Sequence, residues 1–117
     1  MPLLPGAYLG AMAGRWAGPE QRPRYFDLGA DWSIVGLKWA YWTQGQAYGH
    51  GRYIESAGAS CPCTRYWAAI TLAVVRSHDG QRYFATMEIT AKHRRALRLI
   101  MNTTAGWWQE QTDPKVG

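Results

Sequence analysis

Residues 37–90 are a succession of short aromatic and apolar runs cut by turn residues, and that pattern admits few folds. The runs cover residues 37–42, 47–54, 67–75 and 83–90, and β-branched and aromatic side chains of the kind that suit a pleated sheet recur through them. Asp79-Gly80, inside the Ser77-His78-Asp79-Gly80 bend, is a hairpin signal between two such runs. Ile70, Leu72 and Val74 share one parity, and Tyr83, Ala85, Met87 and Ile89 continue that face across the turn. The expected fold is therefore mainly β, a small antiparallel β-sandwich or barrel.

Two details refine the expectation. Within residues 32–42 the better apolar face is Val35, Leu37, Trp39 and Tyr41. Trp42 breaks that parity, which predicts a bulge or strand end near Ala40. Gly49 and Gly51 stand two apart and clear one face of a strand for an approaching ring, with Trp39 and Trp42 as the candidates. Tyr48, His50, Arg52 and Ile54 occupy the opposite parity.

The flanks divide the chain further. Residues 1–23 hold four of the six prolines and no period, and read as a tail or a wrapping arm, with Arg15-Trp16 as a pin to the body and a mobile arm as the favoured form. Residues 24–108 form the β domain, opened by a first strand over 24–29. Residues 91–102 are basic, and Ala96, Leu97, Ile100 and Met101 follow helical spacing, which predicts one short C-terminal helix. Leu97, Leu99 and Met101 also alternate as a strand does, and Thr90 is the one cap residue available. Trp107-Trp108 returns to the body, and residues 109–117 are a polar tail.

A length of 117 residues suffices for one core. The net charge of +5 comes mostly from arginine and permits a nucleic acid, an anionic lipid surface or an acidic protein as partner. Seven Trp and seven Tyr are many for this length; most are expected in core and edge packing and some on an exposed binding surface, since Trp, Tyr and Arg dominate interface hot spots. No apolar run reaches the roughly 18 residues of a membrane helix. The first residues lack a basic region ahead of the apolar part, so a protein starting here is expected in the cytoplasm.

No His-Glu-x-x-His, Gly-x-Ser-x-Gly or phosphate-loop pattern is present, and His50, His78 and His93 stand apart. Asp31 and Asp79 suit turns, and Glu55 and Glu88 are placed to pair with Arg52 or Arg65. No catalytic residue, resident metal or cofactor is expected. The expected function is that of a non-enzymatic protein-binding module acting through Arg52, Tyr53, Arg65, Tyr66 and Trp67 together with the basic run Lys92, Arg94, Arg95 and Arg98. The alternative is a nucleic-acid binder using the run over residues 92–98.

The order Trp39-x-x-Trp42, Ala47-x-Gly49-x-Gly51-x-Tyr53, Cys61-Pro62-Cys63, Ile70-Thr71-Leu72, Gly80 and Tyr83-Phe84 resembles small, often secreted or lipid-anchored actinobacterial β-domain proteins of unknown function. A phage-borne relative fits the same pattern. The resemblance covers roughly half the chain. It implies a β domain, a local disulfide and an extracytoplasmic setting, and it supplies no activity. The family separates its cysteines by three residues, whereas here only Pro62 intervenes. By their own spacing Cys61 and Cys63 admit a strained disulfide, two free thiols, or half of a zinc site completed by two histidines. A metal- or thiol-dependent site at Cys61 and Cys63, with His50 as base, is the second alternative function.

Overall fold

The computed structural model of this chain describes residues 4–8, 21–28, 32–55, 64–92, 96–102 and 107–110. Among them are seven strands: β1 (Phe26–Asp27), β2 (Trp32–Trp42), β3 (Gln46–Glu55), β4 (Thr64–His78), β5 (Gln81–Ala91), β6 (Leu97–Asn102) and β7 (Trp107–Glu110). They lie in one sheet in chain order, and every neighbouring pair is antiparallel. The sheet curls into a half-barrel. The expected mainly β domain is thus present as one curled sheet, not as the two packed sheets of a sandwich. Phe26 on β1 and Trp108 on β7 meet edge to face with ring centroids 6.1 Å apart. Ring contact, not ladder hydrogen bonding, brings the first and last strands together.

Bulges explain how β2 serves this curvature. Its register against β3 shifts between Val35 and Lys38 and again between Trp39 and Tyr41. The second shift is the one predicted near Ala40. The first falls at Gly36, whose φ of 63° places it in the left-handed region that a side chain disfavours. With two extra residues absorbed, Ile34, Leu37, Trp39 and Trp42 all face inward, against Tyr53, Gly49 and Ala47 of β3. Tyr41, expected on the apolar face, is turned outward and is 42% exposed.

The hairpin of β4 and β5 is paired from Ala68 opposite Ala91 to His78 opposite Gln81. Ile70, Leu72, Tyr83, Ala85, Met87 and Ile89 are buried as predicted. Val74 is not: its φ of 58° turns the side chain outward, where it is 49% exposed. Past this point the inward parity of β4 shifts, so that Val75 packs on the core opposite fully buried Phe84.

Residues 97–102 are strand, not the predicted helix. Six residues carry too little length to separate the two periods, and the free side of β5 decides: Thr86–Ile89 supply ladder partners to residues 97–100. Leu99 and Met101 are buried and Leu97 packs against the core, which is the strand pattern.

The inner face of the half-barrel is filled by two segments from the region expected to be a mobile arm. Residues 4–8 lie along the part of β5 that β6 leaves uncovered: Gly6 N–H donates to Arg82 O at 3.1 Å, and Phe84 N–H donates to Gly6 O at 2.8 Å. Pro5, Gly6, Ala7 and Tyr8 are buried there. Three indole N–H groups hold the filling in place. Trp42 donates to Pro5 O at 2.7 Å, Trp108 to Tyr8 O at 2.8 Å and Trp39 to Pro23 O at 2.8 Å. Each bond satisfies a backbone carbonyl and gives a buried or part-buried indole the partner it needs. Arg15-Trp16 and the tail beyond residue 110 lie outside the described residues.

Candidate binding face

Because β3 alternates strictly, its two faces have separate chemistry. Ala47, Gly49, Gly51 and Tyr53 point inward, while Gln46, Tyr48, His50 and Arg52 point outward. The glycines are there for packing: a Cβ on Gly49 would lie 2.5 Å from Lys38 O and 2.8 Å from Trp39 Cε3. The expectation that Gly49 makes room for Trp39 holds. Gly51 does the same for Leu37 and Ile34.

Outward, cross-strand pairing gathers aromatic and basic side chains from three strands. Tyr41 is paired with Tyr48 and Lys38 with His50 between β2 and β3. Arg52 is paired with Trp67 and Ile54 with Arg65 between β3 and β4. The rings form a continuous ladder. Tyr41 and Tyr48 stack with centroids 5.9 Å apart and planes 24° from parallel. Tyr48 meets His50 edge-on at 5.2 Å, with its hydroxyl 3.3 Å from His50 Nε2. His50 and Trp67 stack at 6.0 Å with planes only 6° from parallel. Trp67 ends the ladder 62% exposed, an unusual placement for the largest apolar side chain.

The charge on this face is one-sided. Lys38, Arg52 and Arg65 are exposed and make no ion pair or side-chain hydrogen bond among the described residues. Arg98, also outward, holds Glu88 at 3.2 Å, so Glu88 takes Arg98 as its partner and not Arg52 or Arg65. Between the ladder and that pair lies a depression of about 360 Å³ lined by Gln46, Thr71, Ala73 and Thr86 as well as Glu88 and Arg98. Thr71 is the register partner of Tyr48, so the depression continues the ladder.

The predicted surface is therefore split. Arg52, Arg65 and Trp67 do share one exposed face. Tyr53 and Tyr66 do not: they are paired with each other and stack at 6.3 Å on the inner face, where Tyr53 is 4% exposed. Adjacent residues on a strand point to opposite sides, so neither tyrosine can join its sequence neighbour. Lys92 is exposed just past β5, and Arg98 stands on the outer face of β6. Arg94, Arg95, His93, Cys61 and Cys63 lie outside the described residues.

His50 and His78 are not brought together, because roughly 30 Å of β4 separates their positions. His78 contacts Asp79 at 3.5 Å and Tyr8 edge-on at 6.4 Å. Among the described residues no three His, Cys, Asp or Glu side chains cluster as a metal would require. No described helix is long and apolar enough to cross a membrane. On the inner side burial, followed by the neighbouring Tyr83 and Asp79, raises the Tyr8 hydroxyl above its ordinary value of 10.0.

Lys38, Tyr41, Tyr48 and His50 complete the face without having been singled out as surface. For Tyr48 and His50 the signal was present in their parity opposite the two glycines. For Lys38 and Tyr41 it was masked by the bulges that flank them. Comparison of the chain with known protein families, with curated proteins and with solved structures finds no match.

Proposed function

We propose that this chain is a non-enzymatic binding module that contacts another macromolecule through the outer face of β2, β3 and β4. The observation that carries the reading is Trp67, 62% exposed at the end of an ordered ring ladder and beside Arg52. A large apolar ring left mostly in water adds little to the fold beyond its stacking, while Trp, Tyr and Arg are the residues that anchor interfaces. His50 supports the same reading from its surroundings: its neighbours on the ladder are Tyr48 and Trp67. Composition points first to a protein partner. Lys38, Arg52 and Arg65, without an ion pair among the described residues, favour the second reading, a nucleic acid, placed on this face and not on residues 92–98.

The test is site-specific photo-crosslinking of the full chain in cells, with the photoreactive residue at position 67 and, as control, at position 81 on the hairpin tip. Saturable crosslinks to one macromolecular species from position 67 and not from position 81 are expected. Equal, diffuse labelling from both positions would refute the reading.

A further inference from the structure

We infer that the outer face of β2–β4 binds single-stranded nucleic acid, with bases stacking on the open ends of the Tyr41–Tyr48–His50–Trp67 ladder and phosphates meeting Lys38, Arg52 and Arg65. The inference rests on the reading of this face as a contact surface and names its occupant.

Charge selects the class first. Among the described outward residues of β2–β6, Lys38, Arg52, Arg65 and Arg98 face a single carboxylate, Glu88, which Arg98 already holds. Such a face attracts a polyanion and repels little of it. The rings then choose among polyanions. Exposed Trp and Tyr also meet membrane interfaces and sugar rings, but neither presents a flat π-system to stacked rings. A base offers a flat π-face, and stacking on aromatic side chains tolerates any sequence.

Geometry makes the two features one site. Arg52 is the register partner of Trp67, and Lys38 that of His50, so these two cations stand beside rings, while Arg65 is paired with Ile54 two residues from Trp67 on the same face. The ladder spans three strands, with neighbouring centroids 5.2 to 6.0 Å apart. Its two ends are its most exposed members, Trp67 at 62% and Tyr41 at 42%, which leaves ring surface for an incoming base. Beyond Tyr48 the depression, lined by Gln46, Thr71, Ala73 and Thr86 among others, offers space for an unstacked base or sugar, with Gln46 as a polar contact. A duplex hides its base faces in its own stack, so the site discriminates against it.

The experiment is fluorescence anisotropy of the full chain with a labelled oligothymidylate of about 15 nucleotides, titrated over a range of salt. Binding is expected at low salt, with log K falling against log salt at a slope of about −2, from roughly 0.7 for each of three cations on a single strand. Trp67→Ala is expected to weaken binding about ten-fold or more while keeping the parent's thermal transition. Arg52→Ala and Lys38→Ala should each reduce the slope by about 0.7. A duplex of equal length should bind at least about ten-fold more weakly.

Absence of binding at low salt, equal affinity for duplex or inorganic polyphosphate, or unchanged binding by Trp67→Ala would each overturn the inference. A protein crosslinked at position 67, with no oligonucleotide binding, overturns the nucleic-acid assignment and leaves the binding module standing. Failure of both experiments removes both.

Discussion

Trp42 and Trp67 belong to the same sheet and meet opposite surroundings. Trp42 is 5% exposed on the inner face, packs edge to face against Trp39 and Phe84, and donates its indole N–H to Pro5 O. Trp67 is 62% exposed on the outer face, stacked on His50 and flanked by Arg52. The inner aromatics are locked by burial and by hydrogen bonds to the segments that fill the half-barrel. The outer aromatics are ordered by one another, beside Lys38, Arg52 and Arg65, which make no ion pair among the described residues. Residue type alone does not assign a tryptophan to core or surface; strand parity and the bulges that shift it do.

Substitutions can break this contrast from the inner side. Trp42→Ala should have the largest effect, a loss of about 3–5 kcal/mol in urea unfolding, because it opens a cavity and strands the Pro5 carbonyl. Release of residues 4–8 should accompany it, read as faster amide exchange at Phe84, whose N–H is bonded to Gly6 O. Gly49→Ala comes next, at about 1–3 kcal/mol, since the new methyl would meet the Lys38 carbonyl and the Trp39 ring.

A titration sharpens the contrast further. The folded chain favours the protonated Tyr8 hydroxyl, whose pKa is raised by burial above 10.0. That contribution to stability is full below pH 10 and is lost as pH rises through the folded value. Stability measured by urea unfolding should therefore decline above about pH 10, and Tyr8→Phe should make the decline shallower. A decline of equal steepness in Tyr8→Phe would assign it to other groups.

The parts of the fold legible in the sequence are those fixed by local alternation and turn chemistry. The span of β2, the β4–β5 hairpin and the bulge near Ala40 follow from parity and from Asp79-Gly80. The bulge at Gly36 was hidden because Val35, Leu37 and Trp39 read as an unbroken alternation across it. The identity of residues 97–102 was not local: Leu97, Leu99 and Met101 satisfy a strand and Leu97, Ile100 and Met101 a helix, and the free side of β5 chose. Burial of residues 4–8 depends on indole donors 37 and 100 residues away, which no window along the chain contains. Of the proposed binding face, Arg52, Arg65 and Trp67 were legible as an arginine–aromatic cluster. Tyr53 and Tyr66 joined that expectation through sequence adjacency, although period two sends them inward.

The division of the sheet into an inner face that holds the fold together and an outer face that does not is tested most directly by equilibrium urea unfolding of Trp67→Ala beside Trp42→Ala. The expected result is a Trp67→Ala stability within about 0.5 kcal/mol of the parent, against the loss of about 3–5 kcal/mol for Trp42→Ala. Comparable losses in the two variants would contradict the account, because Trp67 would then be part of the core.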